Sequence, residues 1–591
     1  MNNHNRSILS TKSKWIRGIR ALPFWLTLLA TLLLIFDFGF DQSLQIEEYL
    51  ETVYAIALIA AIISMLSRYL YPKWRPPAKV WFIDLVLMLF LLAIVGDFYM
   101  GVEIGILDVS EWFVITILLA LTREFSALRI SFRMEYFNPA QLFILSFVMI
   151  VIIGTGFLML PKATYDGISL FDALFTSTSA VCVTGLIVVD TGSYFTPFGQ
   201  TMIIALIQMG GLGIMTFTSY FSYFFTGGSS YENQLLLRDM TNSERIADVF
   251  NTLKRILLVT FAIELTGAVC IYFSLDPSTL VSVSDKIFFS IFHSISAFCN
   301  AGFSTLANSL YETEYRFNYP LHISLALLFT LGGIGFPIIF NLSQYLKHII
   351  INRIWFFNSK RRIIYIPWVI NINTRIVVIT SAILITVGTV MFYFIEYNNT
   401  LAEHNAWGKV VTAFFLATTP RTAGFNTVDM SALQFSTVMF IFLLMWIGAS
   451  PGSTGGGIKT STIAIATLNY FSLAKGKNRV ELFRREVAEI SIRRAFALIS
   501  LSLVVIGFGI FLISAFDPNT DLLSIAFECF SAYSTVGLSL GITASLSTAS
   551  KFVLIATMFV GRVSMLTLLI AVLRKVKYQN YSYPTEEILI N

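Results

Sequence analysis

The octapeptide Ser179-Ala-Val-Cys-Val-Thr-Gly185-Leu is the first of four related segments in this chain of 591 residues. Each begins with a hydroxyl residue, has glycine at its seventh position and ends in leucine or phenylalanine. The glycine spacings are 117, 122 and 113 residues, and such a near-constant period indicates four copies of one structural unit. We call these stretches the first to fourth glycine segments; the other three are Ser296-Ala-Phe-Cys-Asn-Ala-Gly302-Phe, Thr418-Thr-Pro-Arg-Thr-Ala-Gly424-Phe and Ser531-Ala-Tyr-Ser-Thr-Val-Gly537-Leu.

Every repeat has the same order: a long apolar run, a short apolar run that ends in the glycine segment, and a second long apolar run. The short runs cover about 170–180, 286–297, 409–418 and 521–532, too short to cross a bilayer but typical of re-entrant segments. The long runs cover about 138–160, 199–225, 256–275, 320–342, 375–396, 434–470, 495–516 and 550–573. The pattern predicts an all-α polytopic membrane protein with four tandem membrane–pore-loop–membrane units around one central pore.

The composition agrees with a membrane protein, since 56% of the residues are hydrophobic, 13% are charged and the mean hydropathy is +0.74. A typical soluble protein is about 25% charged. This excludes a soluble enzyme, a disordered protein and a nucleic-acid binder. The sequence contains neither an HExxH motif nor paired intramembrane carboxylates, either of which would indicate a membrane-embedded enzyme. The four cysteines lack the spacing of metal ligands.

Basic and acidic residues fall on opposite sides of the membrane. Seven stretches between the apolar runs hold 32 of the 40 Lys and Arg residues, whereas we place 22 of the 35 acids on the opposite side. The positive-inside rule then makes the basic side cytoplasmic, with both termini included. An acidic outer face raises the local concentration of cations.

The glycine segments themselves favour a pore. Non-helical backbone at membrane depth is tolerated only where it is buried in protein or lines a water-filled cavity. Each re-entrant helix would direct its C-terminal carbonyl end at the pore, which favours a cation. Glycine reaches backbone conformations that let successive carbonyls turn toward the axis, where they replace the hydration shell of an ion.

The glycine segments resemble the four selectivity-filter segments of the Trk/Ktr/HKT superfamily of potassium transporters, and most closely its TrkH/KtrB branch. The resemblance covers about 138–578 and extends to the second long run of each repeat. The matching stretches there are Gln208-Met-Gly-Gly-Leu-Gly-Ile-Met-Thr216, Leu331-Gly-Gly-Ile-Gly-Phe-Pro337, Gly448-Ala-Ser-Pro-Gly-Ser-Thr-Gly-Gly-Gly-Ile-Lys-Thr460 and Val560-Gly-Arg-Val-Ser-Met-Leu-Thr567.

The resemblance implies a K⁺ selectivity filter built from twelve residues. They are Val183, Thr184, Gly185, Asn300, Ala301, Gly302, Thr422, Ala423, Gly424, Thr535, Val536 and Gly537. K⁺ would be coordinated at Thr184, Gly185, Ala301, Gly302, Ala423, Gly424, Val536 and Gly537. Glycine at all four positions is similar to the K⁺-selective members, because sodium-conducting relatives have serine in the first. Asn300 and Arg421 lie within the segments and are expected to hold the filter by hydrogen bonds.

Two features of the second long runs point to gating. The glycine-rich stretch Ser450–Thr460 makes a continuous helix improbable and is either a helix-packing kink or, as the resemblance implies, an intramembrane gating loop. Arg562 lies within the last apolar run, where it either pairs with a buried acid such as Glu264 or, as the resemblance implies, acts as an electrostatic barrier in the pore. The predicted gate comprises Ser453, Thr454, Gly455, Gly456, Gly457, Lys459 and Arg562.

The N-terminal quarter adds four predicted spans, at 21–40, 50–71, 80–98 and 110–128. Parts of the second and third spans faintly resemble voltage-sensor helices, but in the fourth only Arg123 and Arg129 keep a three-residue register, with Arg133 outside it. The predicted domains are an N-terminal region at 1–135 and pore units at 136–250, 251–370, 371–490 and 491–591.

The sequence thus predicts potassium uptake through a four-segment filter, with no covalent cofactor. A Na⁺-coupled or Na⁺-conducting member of the same family and a voltage-gated cation channel are the alternatives, and coupling to Na⁺ or H⁺ stays open. The resemblance also implies a homodimer and a separate cytosolic regulatory ring of the RCK/KTN type, similar to TrkA or KtrA. His293, close before the second glycine segment, is expected to be a hydrogen-bonded packing residue.

Overall fold

The computed structural model describes residues 22–40, 42–70, 78–100, 109–127, 139–226, 249–275, 282–359 and 370–572. These residues are almost entirely helical, which confirms the predicted all-α membrane fold. They form two compact units: the described part of Met1–Phe132 together with Leu160–Tyr165, and the described part of Arg133–Met159 together with Asp166–Asn591.

The N-terminal unit contains four helices, close to the predicted spans. Its core packs large and small apolar side chains from all four, including Leu34, Leu58, Leu91 and Phe113. Such a core has no polar partner to offer, so polar groups gather at the helix ends. The helices are α1 (Leu22–Gly39), α2 (Leu44–Leu70), α3 (Ala78–Met100) and α4 (Val109–Ala127).

Two buried ion pairs join α2, α3 and α4. Arg68 of α2 pairs with Glu124 of α4, and Arg123 of α4 pairs with Asp84 of α3 at 2.5 Å. The Tyr69 hydroxyl also donates to Asp84, at 2.7 Å. Arg123 is the one basic residue in α4 and is held by an acid, whereas Arg129 and Arg133 lie outside the described residues. The described helices therefore show an interlocked charge cluster instead of a ladder of arginines.

The second unit contains the four repeats, each beginning with an outer helix and a short helix. In the first repeat these are followed by one long helix, whereas in the other three the second long run is divided in two. The helices are α5 (Pro139–Leu158), α6 (Leu170–Val181) and α7 (Pro197–Thr226); α8 (Val249–Ser274), α9 (Val283–Cys299), α10 (Tyr319–Ile334) and α11 (Phe336–Ser359); α12 (Ile372–Ile395), α13 (Ala406–Thr418), α14 (Phe435–Trp446) and α15 (Thr460–Ala474); and α16 (Glu489–Phe516), α17 (Leu522–Ser534), α18 (Thr548–Val563) and α19 (Met565–Val572). A small hairpin of β1 (Glu481–Leu482) and β2 (Arg485–Glu486) precedes α16.

The short helices α6, α9, α13 and α17 each begin at a polar capping residue. Ser169, Ser282, Asn405 and Asp521 each accept a hydrogen bond from a backbone N–H of the first turn. Such caps satisfy amides that would otherwise lack a partner at the helix start. All four helices end at the glycine segment of their repeat, as the re-entrant interpretation predicts.

The second long runs of three repeats are broken at defined positions. In the second repeat, Gly335 has a φ of +93° and α10 and α11 meet at a bend of 102°. In the third, Ile447 to Lys459 are not helical, and in the fourth Ser564 has a φ of +75° between α18 and α19. The hydropathy of 320–342 and 550–573 is continuous, so these two breaks are not visible in the apolar pattern.

The fourth repeat closes the ring by packing against the first. Helix α18 contacts α6, and the Lys551 ammonium pairs with Asp172 of α6 at 3.2 Å. Gln141 of α5 donates to the backbone carbonyl of Ala571, which lies 430 residues later, at 2.9 Å. The first and last repeats are therefore neighbours, as a fourfold arrangement around one axis requires.

We predict that Glu124→Ala lowers the free energy of unfolding by about 3–5 kcal/mol, because it leaves the Arg68 guanidinium buried without its partner. The double change Arg68→Leu with Glu124→Leu is expected to recover most of this loss. The measurement is thermal unfolding of the full chain in detergent.

Glu481→Ala is the matched control, since it removes an exposed ion pair with Lys477 whose two side chains are 61% and 56% exposed. That change should cost no more than about 1 kcal/mol. An equal loss for Glu124→Ala and Glu481→Ala would contradict a stabilising role for the buried pair.

Candidate functional site

The four glycine segments meet in a closed ring. Each of the four glycines has a positive φ, between +70° and +88°. A Cβ atom added to any of them would collide with the carbonyl oxygen that precedes the glycine of another repeat. The encounters run Gly185 with Ala301, Gly302 with Ala423, Gly424 with Val536, and Gly537 with Thr184. Because this order of contacts leads from the first repeat through the others and back to the first, the four backbone carbonyls surround one axis.

The twelve residues predicted from the sequence are brought together here. Three segments turn by the same device, a left-handed residue two positions before the glycine: Val183, Asn300 and Thr535, with φ of 57°, 62° and 51°. The third segment differs, because a 3₁₀ turn at Thr419–Arg421 is followed by Thr422 in extended backbone, with φ −179°. The ring is thus fourfold in its carbonyls but not in its local backbone.

Hydroxyl groups near the start of each segment hold the ring, and sequence reasoning overlooked them. Ser179 and Ser531 accept from the backbone N–H of Gly185 and Gly537, at 3.1 and 3.0 Å. In the other two repeats Ser296 donates to the Phe303 carbonyl and Thr419 to the Phe425 carbonyl, both at 2.7 Å. A hydroxyl residue at the first or second position of every glycine segment is the sequence signal for this role.

Asn300 ties the second segment to the third, in line with the hydrogen-bonding role expected for it. Its amide oxygen accepts from the Thr422 hydroxyl, and its amide nitrogen donates to the carbonyl oxygens of Ala297, Phe298 and Phe329 at 3.0–3.3 Å. One side chain therefore joins two segments and α10.

A cavity of about 530 Å³ opens directly above the ring, and the four glycines form part of its floor. Its walls carry the carboxylates of Asp190 and Asp429 among hydroxyl and amide groups. The hydroxyl and backbone N–H of Ser431 donate to Asp429 and hold the pKa of that carboxyl below its usual range. Asp429 is therefore ionised at neutral pH and contributes a negative potential at the mouth of the ring.

Two opposite repeats place a titratable side chain behind a serine of this cavity. In the second repeat, His293 lies nine residues before Gly302 and forms a hydrogen bond with Ser304, which lies two residues after that glycine. In the fourth repeat, Glu528 and Ser539 occupy the same positions relative to Gly537 and are also hydrogen-bonded. Glu528 is fully buried and also accepts from the Thr543 hydroxyl at 2.9 Å. Aligning the repeats on their glycines reveals this match, because His293 and Glu528 then occupy the same position.

His293 is a packing residue, as expected. Its Nδ1 lies 2.9 Å from the Phe289 carbonyl oxygen and its Nε2 lies 2.9 Å from Ser304. A carbonyl can only accept, so Nδ1 carries the proton and Nε2 accepts from the serine hydroxyl.

The non-helical stretch Ile447–Lys459 lies directly beneath the ring. The Gly456 N–H donates to the Thr535 hydroxyl at 2.9 Å, and the Thr454 hydroxyl donates to the Phe298 carbonyl at 3.2 Å. Gly455 packs so closely against Thr422 that a Cβ atom would not fit. This stretch, which we call the sub-filter loop, therefore contacts the second, third and fourth glycine segments or the helices that lead into them.

Two cationic side chains bind backbone carbonyls of this region. Arg562 donates to the Thr454 carbonyl and, at 2.6 Å, to the Gly210 carbonyl of the first repeat. Lys459 donates to the carbonyls of Gly455 at 2.6 Å and Gly456 at 3.4 Å. Through Arg562 the sub-filter loop is also joined to the first repeat.

The alternative in which Arg562 pairs with Glu264 is wrong. Glu264 instead accepts from the Gln208 amide at 3.1 Å, and no ion pair within the described ranges includes either Arg562 or Glu264. The broken α14–α15 connection exposes the Thr454 carbonyl oxygen, and this oxygen and the Gly210 carbonyl of α7 accept from the two Nη atoms of the guanidinium. The other gate residues predicted from sequence, Ser453 and Gly457, also lie in the sub-filter loop.

We predict that Glu528→Leu lowers the free energy of unfolding by about 2–4 kcal/mol, because the hydroxyls of Ser539 and Thr543 lose their buried acceptor. Glu528→Gln keeps one carbonyl acceptor and should lose less. Thermal unfolding of the full chain in detergent measures both changes, and an unchanged midpoint for Glu528→Leu would show that the carboxylate does not hold the wall of the cavity.

Comparison with known proteins agrees with this geometry. The family model described as "TrkH: Cation transport protein" matches residues 111–582. The chain is 35% identical over 454 residues to the Ktr system potassium uptake protein B of Bacillus subtilis, covering 76% of this chain and 96% of that protein. It is 32% identical over 461 residues to the potassium/sodium uptake protein NtpJ of Enterococcus hirae, covering 77% and 97% of the two.

The fold is also similar to that of a solved structure. The crystal structure of the potassium transporter TrkH from Vibrio parahaemolyticus aligns with a TM-score of 0.58 and 16% identity, over 88% of this chain and 97% of that one. At this identity the likeness shows the fold alone, whereas the family model and the sequence relatives show the family. The chain belongs to the TrkH family of cation transport proteins.

Proposed function

We propose that this chain takes up K⁺ across the plasma membrane through the ring of its four glycine segments. The observation that carries the proposal is the closed ring of carbonyls at Thr184, Ala301, Ala423 and Val536, each packed against a glycine of another repeat. Rings of backbone carbonyls replace the hydration shell of a permeating cation. The names of the Bacillus and Enterococcus relatives, which specify potassium and potassium/sodium uptake, support K⁺ as the ion.

A cation would enter through the outer cavity. Asp190 and Asp429 attract it there, and the ring then takes over its coordination. The re-entrant helices end at the glycine segments, so their C-terminal carbonyl ends add a negative potential at the same place. The twelve predicted filter residues are proposed to act as this selectivity filter, with K⁺ at the residues named above.

The sub-filter loop and Arg562 are the proposed gate. The loop contacts three of the four glycine segments, and Arg562 and Lys459 donate hydrogen bonds to its carbonyls, which supports this proposal. The buried positive charge of Arg562 would also repel a cation that has passed the ring. Transport then requires the loop to move and Arg562 to release the Thr454 carbonyl.

The remaining assignments extend the same proposal. Residues 136–250, 251–370, 371–490 and 491–591 serve as the four pore units, both termini are cytoplasmic, two chains pair, and a separate nucleotide-binding ring regulates them from the basic side. No covalent cofactor takes part. A Na⁺-conducting or Na⁺-coupled protein is the second candidate, which the name of the Enterococcus relative favours.

The test is K⁺ and Na⁺ flux into liposomes that contain the purified full chain, measured with and without a Na⁺ gradient. Wild type is expected to pass K⁺ in preference to Na⁺. Gly185→Ser is expected to admit Na⁺, because the Cβ of serine would meet the Ala301 carbonyl and force the ring to change its shape. Gly167→Ser is a matched control, since Gly167 also has a positive φ but has open space around it.

Equal K⁺/Na⁺ discrimination in wild type and Gly185→Ser would contradict the filter assignment. A wild-type protein that folds but carries neither ion would contradict the proposed function. A requirement for the Na⁺ gradient would select the coupled alternative.

The gate predicts a second effect: Arg562→Ala should raise K⁺ flux, because it removes both the bond to the Thr454 carbonyl and the charge beneath the ring. Arg493→Ala is the control, since it removes an arginine whose side chain is 74% exposed in a surface pair with Glu489. A folded Arg562→Ala protein whose flux is at or below that of wild type would refute this role.

A further inference from the structure

Glu264 is a buried acid near the middle of α8, a helix long and apolar enough to cross a membrane. Its residue is 4% exposed, and no ion pair among the described residues includes it. An ionisable residue at membrane depth is costly, and its presence indicates a functional site. The groups around the Glu264 carboxyl therefore decide what it can do.

Among the described residues, no neighbouring cation neutralises this carboxyl. Arg562, the buried arginine of α18, donates to two backbone carbonyls instead. Lys254 and Arg255 of α8 lie ten and nine residues before Glu264, about 14 Å or more along the helix axis. The histidines of the adjacent helices α9 and α10 also form their hydrogen bonds with other residues; they are His293 and His322.

Two side chains from neighbouring helices meet the Glu264 carboxyl. The Gln208 amide nitrogen of α7 lies 3.1 Å from Oε2, and the Cys299 Sγ at the end of α9 lies 3.9 Å from Oε1. The same sulfur lies 3.6 Å from the Gln208 amide oxygen. Three distances therefore join these side chains pairwise, and we call Glu264, Gln208 and Cys299 the Glu264 triad.

The triad closes as a cycle of hydrogen bonds when Glu264 holds a proton. The protonated carboxyl donates to the Cys299 sulfur, the thiol donates to the Gln208 oxygen, and the Gln208 nitrogen donates to the second carboxyl oxygen. Each group then donates one hydrogen bond and accepts one. An ionised carboxyl can only accept, so the single thiol hydrogen would face two acceptors and a negative charge would be buried without a cation.

The opposite orientation of the Gln208 amide leads to the same protonation state. With its nitrogen and oxygen exchanged, the amide would place an oxygen 3.1 Å from the Glu264 Oε2. Two acceptors cannot form a hydrogen bond, so only a carboxyl that carries a proton could donate to that oxygen. The proton therefore follows from the positions of the three side chains and not from the assignment of the amide.

We propose that Glu264 is a proton-binding site, in which the triad holds the proton between α7 of the first repeat and α8 and α9 of the second. Cys299 belongs to the second glycine segment and directly precedes Asn300, which ties that segment to the third. Loss of the proton breaks the cycle and places a negative charge beside the second glycine segment, where it attracts a cation in the ring. This effect on transport rests on the proposed function, whereas proton binding does not.

Infrared difference spectroscopy of the full chain in detergent tests the proton directly, because a protonated carboxyl has a C=O stretching band that an ionised carboxylate lacks. At neutral pH, wild type is expected to show a band of this kind that is absent from Glu264→Gln and is lost at alkaline pH. Identical spectra for wild type and Glu264→Gln in this region would overturn the proposal.

Glu396→Gln is the matched control, because Glu396 is also buried but is supplied with enough donors to be ionised. Its carboxylate accepts hydrogen bonds from Asn399, Thr400, Gln434 and Thr437. This change is expected to leave the Glu264 band in place, and loss of the band in Glu396→Gln would contradict its assignment to Glu264.

A second variant leaves Glu264 itself intact. Gln208→Leu removes the amide donor to Oε2, which an ionised carboxyl needs more than a neutral one. The band is therefore expected to persist to a pH about one unit higher than in wild type. A band that titrates at the same pH in both proteins would contradict the triad.

Flux into liposomes gives the transport readout. Raising the pH through the range in which the band is lost is expected to lower the half-saturating K⁺ concentration several-fold in wild type and Glu396→Gln, and to leave it unchanged in Glu264→Gln. An equal pH dependence in wild type and Glu264→Gln would overturn the role in transport. Absence of K⁺ flux in every protein, with the infrared band present, would refute the proposed function and leave the proton site standing.

Discussion

The structure depends on one steric constraint: four backbone carbonyls, from Thr184, Ala301, Ala423 and Val536, each lie where a side chain of the glycine in another repeat would be. Any residue with a Cβ atom at those four points would force the ring to change its shape. The constraint links every repeat to the next, so the spacing of the repeats, their re-entrant helices and the closure of the last repeat onto the first are required together. A change in one segment is therefore transmitted to its neighbours through backbone, not through flexible side chains.

Side-chain hydrogen bonds also stabilise the ring that the backbone forms. Ser179 and Ser531 hold the glycine amides, while Asn300 links the second and third segments. Behind the mouth, His293 and Glu528 fix serines in opposite repeats. These buried polar groups are satisfied by one another, and satisfied buried networks specify one arrangement of a site instead of merely adding stability.

Most of the fold could be predicted because its signals are periodic. Apolar runs define the helices, and the repeated glycine is required by a positive φ wherever it occurs. The breaks at Gly335 and Ser564 were not predictable, because hydropathy is continuous through them and depends on composition, not on dihedral angles. The partners of Arg562 were missed for a related reason: they are the carbonyls of Thr454 and Gly210, and a backbone acceptor carries no residue-type signal. Glu264 was one of two open alternatives from the sequence because a carboxylate, unlike a backbone carbonyl, can be recognised by its residue type.

Broken helices also explain how this region tolerates its cations. A continuous helix uses its carbonyls internally, so a buried lysine or arginine beside it must find a carboxylate or reach water. The sub-filter loop frees the carbonyls of Thr454, Gly455 and Gly456, and these accept from Arg562 and Lys459 without adding a negative charge. Neutral carbonyl partners leave the positive charge of Arg562 in place, where a carboxylate partner would have cancelled it. In the proposed gate, this charge and the hydrogen bond to the Thr454 carbonyl depend on the same loop, so a movement of the loop would change both the shape and the electrostatics of the region.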